Sequence, residues 1–288
     1  MLGMKKSRMR SWVRGWPDRI RNKVESLGSF GAVGLCAAIT VGGLAIFYLP
    51  EIYSDNSYPF NGIFSYALIT VYALALAKFF RVPTLSFIAW PRHHWLSYFA
   101  FGTAATLVLT LGLYGNDNDV SFNRYVVGAL YVFSIGLGEE FVDRLLIFGL
   151  LQRFGTKFAL VVSSALFGLS HMNVYVYSWN IWDAFHHVMS TFGFGLFMGA
   201  LLIVTRSIWV PVFFHAIYDW PIIFETEYLP PEEEYVPEFW TGISSGLLHF
   251  LFPFALSALL LLYFYRGKWP KWIVRLAIRW KLVEQAEG

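Results

Sequence analysis

The sequence predicts an all-α, polytopic membrane protein with about eight transmembrane helices and both termini in the cytoplasm. Of its 288 residues, 57% are hydrophobic and only 14% are charged, a composition that excludes an ordinary soluble globular domain. The apolar residues fall into runs long enough to cross a bilayer as helices. Lys and Arg are concentrated in alternate connections between these runs, which predicts the orientation of the chain.

Residues 1–28 form a basic juxtamembrane segment with eight Lys or Arg against two acidic residues, so we expect this segment on the cytoplasmic face. The first apolar run, residues 29–49, is longer than the core of a signal peptide and has no evident small-residue cleavage site before Pro50. It is therefore predicted to be an uncleaved first span, and the membrane domain to cover residues 29–265.

Seven further spans are predicted at residues 62–80, 95–115, 125–151, 158–177, 183–204, 208–224 and 243–265. Basic residues follow the second, fourth and sixth spans, namely Lys78, Arg81, Arg92, Arg153, Lys157 and Arg206. The opposite connections are acidic or nearly free of Lys and Arg, and the most acidic is the loop 225–241. This asymmetry places both termini in the cytoplasm.

The C-terminal tail, residues 266–288, alternates basic residues with Trp and Leu at helical spacing. Such a segment is typical of a basic amphipathic helix lying in the plane of the membrane, with lipid headgroups as its partner. The uneven charge of the chain thus reflects membrane topology, and no nucleic-acid partner is expected. Cys36 is the only cysteine, so neither an intrachain disulfide nor a zinc site of cysteines is possible.

Four ionisable residues interrupt the fourth predicted span, namely Glu139, Glu140, Asp143 and Arg144. Each charge near the centre of a transmembrane helix costs about 2.5–3.5 kcal/mol on insertion scales, so the cluster must face protein or water. On a helix, Glu140 and Arg144 are four residues apart and can pair, while Glu139 projects about 100° away. Glu139 is therefore free to act as a general base, whereas Asp143 has no assigned role.

Two later spans carry histidines beside other polar residues. His171 follows Phe167 at a spacing of four in the fifth span, and His215 precedes Asp219 at the same spacing in the seventh. One carboxylate and two imidazoles from three spans can position a water molecule and stabilise an oxyanion. His186 and His187, near the start of the sixth span, belong to no motif that we can assign.

The ordered patterns Glu-Glu-x-x-x-Arg, Phe-x-x-x-His and His-x-x-x-Asp resemble the three motifs of the CPBP or Abi family of intramembrane proteases, which includes the CAAX-type prenyl protease. They lie in the core 125–224, within residues 139–219. The resemblance implies that Glu139 and His171 activate the hydrolytic water and that His215 and residue 219 contact the oxyanion. It also implies supporting roles for Glu140, Arg144 and Phe167.

Two questions stay open at this level. The third motif of the family commonly ends in Asn, which can donate to an oxyanion, whereas an ionised Asp219 cannot. Asp219 could be protonated, or it could orient His215 by accepting its ring N–H, and we favour orientation. Glu139, His171 and His215 would also suit zinc. The resemblance favours hydrolysis without a metal, so we expect no cofactor, with zinc as the alternative.

The sequence therefore predicts a glutamate-type intramembrane endopeptidase that cuts a membrane-anchored or lipidated protein or peptide. We expect it in a bacterial inner or plasma membrane rather than in the endoplasmic reticulum. The alternatives are a membrane transporter and a non-catalytic immunity or scaffold protein, because buried charges also form ion paths and networks that lock helices together. Ion flux without proteolysis would favour the transporter.

Overall fold

The structure is a computed structural model, and it describes residues 20–53, 60–89, 122–172, 181–220 and 238–265, with the isolated positions Asp18, Trp272, Arg275 and Arg279. Within these ranges the chain is helical and contains no strand. The predicted span 95–115 and most of the acidic loop lie outside the described residues, as do nearly all of the N-terminal segment before residue 20 and of the C-terminal tail. The three described positions of that tail are helical.

Seven long elements build the described part of the molecule. Helix α1 is Ser29–Tyr53, α2 is Phe60–Phe80, α4 is Thr156–Ser170, α5 is Ile181–Thr205 and α6 is Trp209–Tyr218. Helix α3 is composite, with an α-helical part Phe122–Glu140, a π-helical part Phe141–Ile147 and a last α-helical turn Phe148–Leu151. Helix α7 is built in the same way from Phe239–Ser245, Gly246–Leu251 and Phe252–Tyr265.

Four stretches in the described ranges are long and apolar enough to cross a membrane, namely Ser29–Leu49, Phe60–Phe80, Ile181–Thr205 and Phe239–Tyr263. Each corresponds to a predicted span. Large apolar side chains are exposed along them, including Phe30, Val71 and Leu259. In water such surfaces would be unfavourable, whereas lipid tails match them. The molecule is therefore an integral membrane protein that crosses the bilayer more than once.

Helices α4 and α6 are shorter than the spans predicted at 158–177 and 208–224. The 15 residues of α4 extend about 22 Å, less than the roughly 30 Å hydrocarbon core. The 10 residues of α6 extend about 15 Å. Helix α4 ends immediately before His171, and α6 ends immediately before Asp219. Both helices thus end at polar residues, which membrane proteins tolerate where the backbone lines a cavity or is buried in protein.

The π-helical part of α3 begins directly after Glu140 and contains Asp143 and Arg144. Its wider turn is evident in the bond from the Phe148 N–H to the carbonyl of Asp143, five residues earlier. The carbonyl of Leu145 accepts a hydrogen bond from the Thr84 hydroxyl, in the short 3-10 helix Pro83–Ile88. All seven residues of the π-helical part are buried, so the charged cluster lies at the centre of the fold.

The main hydrophobic core surrounds this π-helical part. Leu145, Leu146 and Ile147 have no exposed surface, and they pack with residues of α1, α2, α4 and α5. At one end of α3, Arg153 donates to the carbonyl of Val24, and Arg21 donates to the carbonyl of Phe79. The described end of the N-terminal segment, residues 20–28, therefore lies on the same side of the molecule as the ends of α2 and α3.

Candidate active site

Helices α3, α4 and α6 bring the three sequence motifs together. The approach of α6 to α3 depends on Gly136, where an added Cβ would lie 2.6 Å from the Val212 carbonyl oxygen and 3.2 Å from the Cβ of His215. A real Cβ atom cannot occupy that space, so the contact requires glycine. This close packing places His215 beside both glutamates of the first motif.

Glu140 and Arg144 form a buried ion pair, as their spacing predicts. Arg144 Nε lies 3.2 Å from Glu140 Oε2, and the two side chains are 1% and 0% exposed. Arg144 also donates to the carbonyl of Gly195 in α5 at 3.3 Å, and its guanidinium lies 4.5 Å from the ring centroid of Phe167. The pair therefore links α3 to α4 and α5 from a position that solvent does not reach.

Phe167 connects this buried pair to both histidines. Its ring makes edge-to-face contacts with His171 at a centroid distance of 4.5 Å and with His215 at 6.0 Å. Only 1% of Phe167 is exposed, so the ring has little freedom to move. The aromatic residue of the second motif thus fixes the positions of two imidazoles and one guanidinium.

Glu139 has a different environment from its neighbour. Its side chain is 19% exposed, and Oε2 lies 3.7 Å from His171 Nε2 and 3.5 Å from His215 Nε2. Oε2 has no hydrogen-bond partner among the described residues. At these separations Oε2 forms no direct hydrogen bond to either ring, so its capacity as an acceptor is unused within the described residues.

The ring orientation of His171 follows from a single contact. Its Nδ1 lies 2.8 Å from the carbonyl oxygen of Phe167. A carbonyl only accepts, so Nδ1 carries the proton, and in the neutral ring Nε2 carries the lone pair. This lone pair belongs to the ring nitrogen nearer to Glu139. His171 and Glu139 therefore present two acceptors to one small region.

His215 contacts three carboxylates. Its Nδ1 lies 2.8 Å from Glu140 Oε1, while Nε2 lies 3.5 Å from Glu139 Oε2 and 3.4 Å from Asp219 Oδ2. Because Glu140 is paired with Arg144, it accepts the Nδ1 proton of His215. The contact that orients the ring at Nδ1 thus comes from Glu140, and Asp219 lies at the opposite ring nitrogen. The spacing in the sequence suggests only Asp219 for this role, because Glu140 lies 75 residues away in the chain.

Tyr66 belongs to the site although no motif includes it. Its hydroxyl donates to Glu139 Oε1 at 3.2 Å. Gly138 allows this contact, because a Cβ there would lie 2.8 Å from Cδ1 of Tyr66. The sequence signal for Tyr66 is weak, since a single Tyr in an apolar span is common. The Gly-Glu-Glu order, with its small residue beside the glutamates, was the only hint of a close neighbour.

The unassigned polar residues divide into two groups. His187 lies next to the site, with its ring centroid 5.5 Å from that of His171, and Asp143 lines the same cavity as Glu139 and His171. His186 is turned toward α7, where its Nε2 donates to the Gly242 carbonyl at 2.9 Å and its ring stacks on Phe250. The structure thus places His187 and Asp143 beside the candidate chemistry, and places His186 in helix packing.

The zinc alternative can be tested against the donor atoms. Ligand atoms about 2.0–2.1 Å from one tetrahedral zinc lie roughly 3.3 Å apart, and Glu139 Oε2 is 3.5 and 3.7 Å from the two histidine Nε2 atoms. Across the described residues, no set of three His, Cys, Asp or Glu side chains is arranged to hold a metal ion. The donor types suit zinc, and the two oxygen-to-nitrogen separations are slightly longer than a bound zinc requires.

Comparison with known proteins agrees with this geometry. The model of the family described as Rce1-like, type II CAAX prenyl endopeptidase, matches residues 121–221. That stretch contains all three motifs and helices α3 to α6. Searches of curated proteins and of solved structures find no match. The match covers about a third of the chain, and it confirms the resemblance inferred from the three motifs.

Proposed function

We propose that the chain is an intramembrane endopeptidase in which Glu139 and His171 activate the water that hydrolyses a peptide bond. The observation that carries this proposal is the position of Glu139 Oε2, within 3.7 Å of the Nε2 atoms of two histidines and bonded to neither. Both histidines already use Nδ1 in contacts with the protein. Glu139 Oε2 and the Nε2 atoms of His171 and His215 therefore face one small region.

A water molecule there would donate one O–H to Glu139 and the other to His171 Nε2. Donation to these two acceptors would leave the lone pairs of the water oxygen directed away from them, toward a substrate carbonyl. Glu139 would take a proton as the water oxygen bonds to the carbonyl carbon. The same proton would pass to the substrate nitrogen as the C–N bond breaks, so the enzyme returns to its initial state.

His215 would stabilise the negative oxygen that forms on the substrate. Its Nδ1–H is held by Glu140, so a doubly protonated ring presents Nε2–H toward the region between Glu139 and Asp219. A fixed donor of this kind is worth about 10²–10³ in rate in other oxyanion sites. Asp219, at 3.4 Å from the same nitrogen, would tune this donor rather than orient the ring.

The proposed substrate is a membrane-anchored or lipidated protein or peptide, because the site lies on helices buried in a membrane protein and the matched family is one of CAAX prenyl endopeptidases. We keep the bacterial inner or plasma membrane as the proposed location.

The direct test is to compare membrane-protein fragments by mass spectrometry in cells expressing wild type, Glu139→Ala or His171→Ala. Each variant should lose the same set of fragments and accumulate the uncut precursors, while its unfolding temperature in detergent shows that it is folded. Fragments that persist in either variant would refute the proposal. Ion flux in liposomes without any cleavage would favour a transporter instead.

We also propose that hydrolysis needs no metal. Treating purified protein with a zinc chelator should leave cleavage unchanged within about twofold, because in this mechanism the proton transfers require only Glu139 and the histidines. If the chelator abolished cleavage and added zinc restored it, this proposal would be wrong. Glu139 and the two histidines would then bind zinc once substrate or lipid has moved them.

A further inference from the structure

A cavity of about 170 Å³ opens beside Glu139. Helix α1 contributes Thr40, Gly43, Leu44, Phe47 and Tyr48 to its wall; the other helices contribute Tyr66, Ile69, Glu139, Val142, Asp143, Phe167, Ser170 and His171. Pockets for drug-sized ligands usually measure about 300–1,000 Å³, so this cavity has room for one long side chain rather than for a whole lipid chain.

Three hydroxyl groups of the wall donate to other groups of the protein, whereas one oxygen of Asp143 has no such partner among the described residues. The Thr40 hydroxyl donates to the Cys36 carbonyl at 3.1 Å, and the Ser170 hydroxyl donates to the Phe167 carbonyl at 2.7 Å. The Tyr66 hydroxyl donates to Glu139. Asp143 is only 5% exposed, and its Oδ1 has no hydrogen-bond partner in the described part of the chain.

The adjacent arginine does not provide that partner. Arg144 is directed to Glu140, to the carbonyl of Gly195 and onto the face of Phe167. Buried carboxyl oxygens are normally hydrogen-bonded, and one that is not, beside an active site, is suited to a donor that arrives with a ligand. The hydroxyls of Thr40, Tyr66 and Ser170 are already engaged, so a donor group of a bound substrate would suit this oxygen.

The spacing along α3 indicates which part of the substrate would reach Asp143. Glu139 and Asp143 are about one helical turn apart, roughly 6 Å along the axis. An extended substrate advances about 3.3 Å per residue, so Asp143 would meet a group within two residues of the bond that is cut. The cavity between them is largely apolar, with Leu44, Phe47 and Val142 in its wall.

We propose that this cavity is a subsite in which Asp143 accepts a hydrogen bond from a Lys or Arg side chain of the substrate, within two residues of the scissile bond. The apolar wall would cover the hydrocarbon stem of that side chain, and the carboxyl oxygen would bind its charged end. This inference rests on the proposed function, since it assigns a specificity to the same site.

The test uses purified full-length protein in liposomes and a library of peptides that each carry one apolar membrane segment, with the adjoining positions varied. Cleavage products are identified by mass spectrometry. They give kcat/KM for peptides with Lys or Arg within two residues of the scissile bond and for matching peptides with Leu, and the ratio of the two values measures the preference. This ratio does not depend on the fraction of folded enzyme. Wild type should prefer Lys or Arg by about tenfold or more, a typical value for a hydrogen bond to a charged group.

The variants Asp143→Asn and Asp143→Leu should lower this preference, and the Leu variant should abolish it. Asp18→Asn removes an exposed carboxylate that pairs with Arg21 far from the cavity, so its ratio should equal that of wild type. An equal ratio in wild type and Asp143→Leu would overturn the subsite while leaving the protease intact. A wild-type protein that cuts no peptide would overturn the proposed function, and the subsite with it.

Discussion

Glu139 and Glu140 are adjacent in the chain, yet Glu140 is fully buried and Glu139 is 19% exposed. The two carboxylate oxygens of Glu140 contact Arg144 and His215. Among the described residues, Glu139 accepts a hydrogen bond from Tyr66 at one oxygen, and its other oxygen lies toward the two histidines. The spacing of the residues predicted this division, because Arg144 is four residues from Glu140. The contact between Glu140 and His215 joins α3 to α6, and no local pattern in the sequence predicts it.

The buried ion pair gives a stability prediction. Arg144→Met should destabilise the protein by about 3–5 kcal/mol, because it leaves the Glu140 carboxylate buried without its cation. The double variant Glu140→Gln/Arg144→Met should recover part of this loss, since Gln still accepts from His215 without a charge. Denaturant unfolding in detergent would measure both, with an expected coupling of about 0.5–3 kcal/mol. Additive effects of the two substitutions on stability would contradict an interaction between Glu140 and Arg144.

Asp219 gives a kinetic prediction at the same scale. Asp219→Asn should keep kcat within about tenfold of wild type, because the amide can accept from His215 Nε2 and can also donate to an oxyanion. Asp219→Leu can do neither, so it should lose about 100-fold or more. Equal losses in the two variants would show that the site requires a negative charge at this position.

At the scale of the elements, the helices that end early and the π-helical turn determine where the site lies. Helix α4 stops before His171, and α6 stops before Asp219. Hydropathy could not predict these ends, because the apolar character of the chain continues beyond them. The π-helical part of α3 has no sequence signal either, because a single wider turn leaves no periodic pattern of apolar residues. The bounds of α2 and α5, in contrast, follow the apolar runs closely.

Close packing of α3 on α6 is testable at Gly136. Gly136→Ala would place a Cβ 2.6 Å from the Val212 carbonyl, so the helices must separate and His215 must move. We expect a loss of about 1–3 kcal/mol in stability, together with loss of activity. Gly34→Ala is the matched control, because no atom lies within 4 Å of a Cβ at that helix position. It should be neutral or stabilising by up to about 1 kcal/mol. Equal behaviour of the two variants would mean that the contact is unimportant.

For the whole molecule, composition was sufficient to predict a multi-pass helical protein, and the ordered motifs were sufficient to predict which residues converge. The roles of Tyr66 and Asp143 could not be predicted from the sequence, because they depend on which helices are neighbours. Tyr66 reaches Glu139 from α2, and the cavity beside Asp143 is completed by α1. Neither helix carries a motif. Contacts between helices distant in the sequence follow from packing in three dimensions, which local periodicity does not specify.

The eight-span topology with cytoplasmic termini stays a prediction, and cysteine labelling can test it. In a Cys36→Ser background, Glu232→Cys should react with a membrane-impermeant thiol reagent added to intact bacterial cells. Lys157→Cys, in the connection after the fourth predicted span, should react only after the cells are permeabilised. The expected difference follows from the distribution of Lys and Arg. Reaction of both positions from outside would contradict the topology.

The central claim is that Glu139 acts as the base for the hydrolytic water. The most direct measurement is the cleavage rate of purified wild type and Glu139→Gln in liposomes, on a substrate identified from the accumulated precursors. Gln has the same shape and can still accept from Tyr66, but it cannot take a proton. If Glu139 is the base, kcat should fall at least about 10²-fold, the lower range for general-base catalysis, with an unchanged unfolding temperature. A Glu139→Gln enzyme with wild-type kcat would contradict this claim.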